Sequence, residues 1–167
     1  MNSGVYTFRQ EQWIGRPIGE VFAFFSDAHN LEQLTPAWLG FKILAMNTSS
    51  IAAGTEIDYR LRLHGIPVGW RTEILEWDPP HGFIDIQRLG PYKLWRHTHR
   101  FEEVGDGTKM IDEVNYALPF GILGRMVHAL KVRSDVQRIF DYRRQRIAEL
   151  FAPSAEVQGF SGARRGT

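Results

Sequence analysis

The chain has 167 residues, 43% of them hydrophobic and 13% aromatic, and its 20 Lys and Arg against 19 Asp and Glu give a net charge of +1. That length suits one core able to bury roughly 70% of the unfolded surface. The balanced charge argues against a nucleic-acid binder, and the absence of cysteine excludes disulfides, thiolate metal sites and a cysteine nucleophile. No apolar run approaches the roughly 20 residues that span a bilayer. Met1 to Gly4 lead into a strand-like segment without a signal-peptide pattern. The expectation is a cytoplasmic protein with no stable membrane insertion.

In chain order, Val5 to Ile14 alternates Tyr6, Phe8 and Gln10 with Thr7, Arg9 and Glu11, the period of a strand. Pro17 then suits the first turn of a short helix whose apolar stripe is Val21, Phe22, Phe24 and Phe25. A second short helix over Asn30 to Leu34 stops at Thr35-Pro36, because proline disfavours helical geometry in the residue before it. Strand patterns follow over residues 41–46, 55–63, 68–77, 83–89, 94–104 and 110–118. They are punctuated by Ala53-Gly54, Gly65-Ile66-Pro67, Asp78-Pro79-Pro80, Gly90-Pro91 and Gly105-Asp106-Gly107. Residues 120–151 contain no proline and place Ile122, Met126, Ala129, Leu130, Val136, Ile139, Phe140, Ile147, Leu150 and Phe151 at mostly helical spacing. They predict one long amphipathic helix. Residues 153–167 read as a frayed tail, so one domain over residues 1–152 is expected.

A strand, two short helices, six antiparallel strands and a long C-terminal helix form an α+β layout in which the helix covers one sheet face. The residues carrying a family likeness are Pro17, Ile18, Glu20, Val21, Phe22, Phe24, Phe25 and Asp27, then Asn30, Leu31, Leu34, Thr35 and Pro36. They continue with Gly54-Thr55, Trp77-Asp78-Pro79-Pro80, Phe83, Asp85, Gly90-Pro91-Tyr92, Trp95, His97, His99, Phe101, Gly107-Thr108, Asp112 and Tyr116. From Val5 to about Phe151 the chain resembles the START/polyketide-cyclase superfamily, also called Bet v 1-like or SRPBCC, in a bacterial ligand-binding subset. The resemblance implies a helix-grip fold in which a curved seven-stranded antiparallel sheet wraps the last helix around a cavity. It leaves function broad, because the superfamily hosts lipid carriers, hormone receptors, cyclases and hydrolase activators.

The period of two sorts inner from outer side chains. Ile57, Tyr59, Leu61 and Leu63 oppose Asp58, Arg60 and Arg62; Val68, Trp70, Thr72 and Ile74 oppose Arg71 and Glu73. Trp95, His97, His99 and Phe101 oppose Arg96, Thr98 and Arg100, so two histidines face inward. Met110, Asp112, Val114, Tyr116 and Leu118 oppose Lys109, Glu113 and Asn115, with Ile111 on the nominally wet side. If Phe83 faces in, Asp85 and Gln87 follow it, and the imidazoles gain acceptors one strand away at about 5 Å.

Burying an imidazole without a partner costs on the order of 1–3 kcal/mol, and four readings of the pair remain open. It can be a satisfied polar cluster, the polar end of an apolar ligand pocket, two ligands of a metal site completed by a carboxylate, or an acid-base pair with His97, His99 and Asp85 as candidates. An empty cavity of several hundred Å³ would cost several kcal/mol at about 24 cal/mol per Å³, which favours an occupant. The reading adopted is binding or carriage of a lipid-, isoprenoid- or polyketide-like molecule by a monomer or homodimer. Its contacts are Tyr59, Leu61, Leu63, Trp70, Ile74, Phe83, Asp85, Gln87, Trp95, His97, His99, Phe101, Asp112 and Tyr116, and no metal or other cofactor is assigned. The alternative is a cyclase or dehydratase using His97 or His99 as general acid-base.

No Gly-x-Ser-x-Gly elbow supports a serine hydrolase, and Gly121-Ile122-Leu123-Gly124 lacks nucleotide-loop spacing. Lys131, Arg133, Arg138, Arg143, Arg144 and Arg146 read as a solvated helix face. Trp38 and Leu39 are candidates for the cavity rim or for core anchors.

Overall fold

A computed structural model describes residues 4–119 and 131–152. The proposed loop glycines Gly121 and Gly124, the first part of the long helix and the tail at 153–167 lie outside the described residues. The strands are β1 (Val5–Ile14), β2 (Lys42–Met46), β3 (Glu56–Leu63), β4 (Ile66–Asp78), β5 (Gly82–Leu89), β6 (Leu94–Val104) and β7 (Gly107–Ala117). Among the described residues the helices are α1 (Ile18–Phe25), α2 (Asn30–Leu34) and α3 (Arg133–Leu150), with a 3-10 turn at Ala37–Leu39.

The seven strands form one antiparallel sheet in the order β1-β7-β6-β5-β4-β3-β2. Every neighbouring pair from β2 to β7 is sequential, and β1 closes on β7 by full pairing from Val5 with Ala117 to Ile14 with Thr108. The first two strands are therefore the two sheet edges, and α1 and α2 carry the chain from one to the other. This is the helix-grip layout, with α3 set against β1 and α2.

Two boundaries differ from the sequence pattern for a physical reason. The hairpin between β3 and β4 turns at His64-Gly65, both with positive φ (52° and 83°), which leaves Ile66 and Pro67 in β4. A two-residue turn with two positive φ values matches the twist of its strands, so pairing runs further than the apolar alternation. Similarly β7 begins at Gly107, because backbone pairing with β6 continues to Val104.

Outward side chains of the sheet pair with one another. Arg71 holds Asp58 through two 2.8 Å hydrogen bonds, Arg88 pairs with Glu73, and Arg96 reaches Glu76 at 3.3 Å. The Arg96, Thr98 and Arg100 side of β6 is thus the polar face, as the alternation requires. Ile111, in register between Glu11 and Arg100, is buried despite lying on that side.

The inner face packs as two apolar groups. Phe22 and Phe25 of α1 meet Phe101 at ring centroids 5.8 and 5.3 Å, and Phe22 meets Trp77 at 5.1 Å. A register shift between Ile74 and Glu76 reverses the alternation, which turns Trp77 inward. The other group joins Val114 and Tyr116 to Val136 and Phe140 of α3, with Phe8 and Phe140 at 4.5 Å.

Gly82 sets the start of β5. A Cβ there would lie 2.2 Å from the backbone oxygen of His99, so only glycine permits this approach of β5 to β6. Gly82→Ala is expected to lower stability by about 1–3 kcal/mol through overpacking, read as a lower denaturant midpoint with an unchanged slope.

Candidate functional site

Between the sheet and α3 lies a partly open cavity of about 190 Å³. Tyr59, Leu61, Leu63, Trp70, Ile74, Phe83, Asp85, Trp95, His97 and His99 line it. The volume is below the several hundred Å³ expected, and aromatic packing explains the difference. Tyr59 stacks on Trp70 at 5.9 Å, Trp95 meets Trp70 edge-on at 5.4 Å, and Tyr92 meets Trp95 at 4.8 Å. These rings fill one end.

Four expected contacts lie elsewhere. Phe101 is 1% exposed under α1, and Tyr116 belongs to the group against α3. Gln87 turns to the loop, where its Nε2 donates to the Tyr92 carbonyl at 2.7 Å and its Oε1 accepts from the Tyr92 amide at 3.2 Å. It holds the loop that presents Tyr92 to the cavity. Asp112 stands behind the histidines, away from the lining.

Strand register assembles the polar end. Asp85 is directly opposite His97, and His99 is directly opposite Asp112, so β6 presents two imidazoles between carboxylates from β5 and β7. His97 and His99 are 5% and 3% exposed, and Asp112 is 5% exposed. His97 Nε2 is 3.0 Å from Asp112 Oδ1, and His99 Nε2 is 3.1 Å from Asp85 Oδ2. His99 Nδ1 is 2.9 Å from Asp112 Oδ1 but off the angle of a hydrogen bond, which leaves it a buried nitrogen with charge proximity and no bond. Phe83 stacks on His99 at 4.2 Å, and the imidazole centroids are 3.7 Å apart.

Burial pulls His97 below the usual imidazole range, helped by repulsion from His99 and opposed by Asp112. For His99, burial acts the same way but is outweighed by Asp112 and Asp85, which raise it. Asp112 would rise on burial; Arg143 and the two imidazoles instead hold it well below the ordinary carboxylate range.

Arg143 corrects the reading of the basic helix face. It lines the cavity, with its guanidinium 5.7 Å from the Phe25 ring centre and 5.9 Å from that of Phe140. Its Nε is buried without a hydrogen-bond partner among the described residues. The signal was present in the spacing, since 143 is three after Phe140 and four before Ile147, both buried. Arg138 and Arg144 do lie on the exposed face.

Thr72, buried at the cavity wall, was also missed. Its Oγ1 accepts from Trp70 Nε1 at 3.1 Å and is 3.0 Å from the Tyr59 hydroxyl. Its place on the inner face was visible in the alternation, but no charge or ring marked it out. Leu39 lines the cavity, whereas Trp38 is exposed and packs on Tyr142 at 5.6 Å, with Arg138 5.3 Å from its ring centre.

The sheet, the closing helix and the cavity between them define a helix-grip protein. Residues 14–138 match the family described as polyketide cyclase / dehydrase and lipid transport. The chain belongs to that family. A search of the curated proteins returns no sequence match. Among solved structures the chain is similar to TTHA0849 from Thermus thermophilus, at 21% identity and a TM-score of 0.61, covering 87% of this chain and 99% of that one. It is similar to protein CV1439 from Chromobacterium violaceum, at 14% identity and a TM-score of 0.69, covering 88% and 97%. A plant example is major latex-like protein 151 from Panax ginseng, at 11% identity and a TM-score of 0.68, covering 90% and 100%. At these identities the likeness establishes the fold.

The depressed Asp112 gives a signed expectation. An unfolded aspartate titrates near ~3.9, so the stability that its charge contributes is complete above about pH 5. That contribution is lost as the pH falls through the lower folded value. Asp112→Asn is expected to cost about 3 kcal/mol at neutral pH, with the gap to the unmodified protein narrowing only in acid. Chemical denaturation at several pH values checks this, and equal midpoints at pH 7 would contradict it.

Proposed function

We propose that this protein binds an apolar small molecule in the cavity between the sheet and α3, with the His97, His99, Asp85 and Arg143 end orienting it. The observation that carries this reading is the wall itself, aromatic and aliphatic along β3, β4 and α3, with Asp85, His97, His99 and Arg143 as its inner titratable groups and Asp27, between α1 and α2, as a further charged lining residue. That is the usual organisation of a small-molecule site, in which apolar burial supplies affinity and a few polar groups supply orientation. A family description that couples cyclase and dehydrase members with lipid transport is consistent with it.

A volume near 190 Å³ is on the scale of cavities that accept a single aromatic ring. A short-chain lipid or a compact isoprenoid or polyketide-like ring is therefore the ligand class, and a longer molecule requires the Tyr59, Trp70 and Trp95 rings to repack. The protein acts through this one domain, residues 1–152, in the cytoplasm, as a monomer or homodimer and without nucleic acid. Among the described residues no helix is long and apolar enough to cross a membrane.

Native mass spectrometry and solvent extraction of freshly purified protein, with thermal shifts across an apolar library, test the reading. A co-purifying apolar species or a shift of several degrees is expected. Leu61→Trp fills the cavity and is expected to abolish the ligand-induced shift while the protein still unfolds cooperatively. No bound species and no shift across the library would refute the reading.

A further inference from the structure

The geometry points to a divalent transition-metal site on the cavity wall, with Asp85, His97 and His99 as ligands and Asp112 behind them as the carboxylate that orients His97. One ligand atom from each of the three lies within 4.8 Å of the others. Asp85 Oδ2 is 3.1 Å from His99 Nε2 and 3.7 Å from His97 Nδ1. Donors about 2.1 Å from a zinc-like ion stand roughly 3.0–3.4 Å apart, so small side-chain adjustments close this set around one ion, with release to solvent of the Nε2 proton that His99 donates to Asp85.

The opposite ring nitrogens decide the direction of the site. Asp112 Oδ1 is 3.0 Å from His97 Nε2 and 2.9 Å from His99 Nδ1. A carboxylate on the far nitrogen of a ligating histidine fixes its tautomer and raises its basicity; Asp112 does this for His97 through a hydrogen bond and stands beside His99 Nδ1 as a nearby charge without one. The His97 bond to Asp112 assigns the proton of the neutral ring to Nε2. Nδ1 is then an acceptor 3.7 Å from the acceptor Asp85 Oδ2, and a cation between them relieves that opposition.

Asp85, His97 and His99 line the cavity and Asp112 does not, so an ion held by the three keeps its remaining positions toward the cavity. Two nitrogens and one carboxylate oxygen suit Zn²⁺, Fe²⁺ or Co²⁺ over Mg²⁺ or Ca²⁺. Arg143 shares the chamber as a second positive charge. Together they favour an apolar ligand with an oxygen donor, such as a carboxylate or an enolisable carbonyl. The metal site itself stands on the side-chain geometry and does not require the hydrophobic-ligand reading.

The test titrates untagged, chelator-treated full-length protein with Co²⁺ and Zn²⁺ alone, followed by calorimetry and by the visible bands of bound Co²⁺. One equivalent is expected, with bands characteristic of low-coordinate nitrogen and oxygen ligation. Asp85→Asn, nearly isosteric and at the cavity surface, is expected to lose at least tenfold in affinity, and Asp112→Asn about 10- to 100-fold. His64→Gln, at an exposed turn, is expected to leave binding unchanged. Near-UV circular dichroism establishes that each variant is folded, and Asp85→Asn decides the matter if a histidine variant does not fold. Absence of one-equivalent binding, or equal binding by folded Asp85→Asn, overturns the metal site. An anilinonaphthalenesulfonate dye titration on the same metal-free protein reads the apolar cavity separately, so the loss of either property is distinguishable from loss of the other.

Discussion

Two imidazoles enclosed in an otherwise apolar interior constrain this molecule more than any other feature. Each must find polar partners where water is excluded, since an unsatisfied buried group costs on the order of 1–3 kcal/mol. The partners come from both neighbouring strands, Asp85 on β5 and Asp112 on β7. A one-residue slip of either strand would turn its carboxylate to the opposite face. The cluster therefore pins the register of β5, β6 and β7, and Gly82 allows β5 to approach β6 closely enough for Phe83 to stack on His99.

The same arrangement separates the interior into parts with different chemistry. Phe22, Phe25 and Phe101 make a dense apolar group on one side, and Val114, Phe140 and Phe8 make another on the side of β1 and α3. Between them, the walls of β3 and β4 do not meet α3 completely, and the cavity remains. Its charged end gathers Asp85, His97, His99 and Arg143, with Asp112 behind. Arg143 is tolerated there because aromatic faces receive its guanidinium and the carboxylates offset its charge. Charge concentrated at one end of an apolar chamber can orient a ligand or hold an ion while the rest of the wall contributes burial. This division explains how one fold serves carriers and enzymes alike, with the chemistry residing in the few polar side chains that a given member places on the wall.

Most of the architecture was legible because its signals are local. Alternation in β1, β3, β4 and β6 and the proline and glycine punctuation between strands identify the sheet, and the inward direction of His97 and His99 follows from Arg96, Thr98 and Arg100 alone. The ambiguous strand was β5, where Phe83, Asp85 and Gln87 alternate with Ile84, Ile86 and Arg88. Only packing of Phe83 against Phe22 and Trp77 selects its buried face. Gln87 follows the same alternation yet bonds to the backbone of Tyr92, a choice made by a loop whose path no periodicity encodes. Arg143 was misjudged because charge outweighed spacing, although its position on the Val136, Phe140 and Ile147 stripe was readable.

By itself, then, the sequence determined the order of elements, the inner and outer faces of most strands, and the presence of a paired imidazole inside an aromatic wall. These depend on periods of two and 3.6 residues, which require no knowledge of distant contacts. The tertiary structure decided what those imidazoles touch, which of the inner residues border the cavity and how much space remains. Those outcomes depend on cross-strand register and on side-chain volumes summed over strands and a helix far apart in the chain, and they exist only once the sheet has closed against α3.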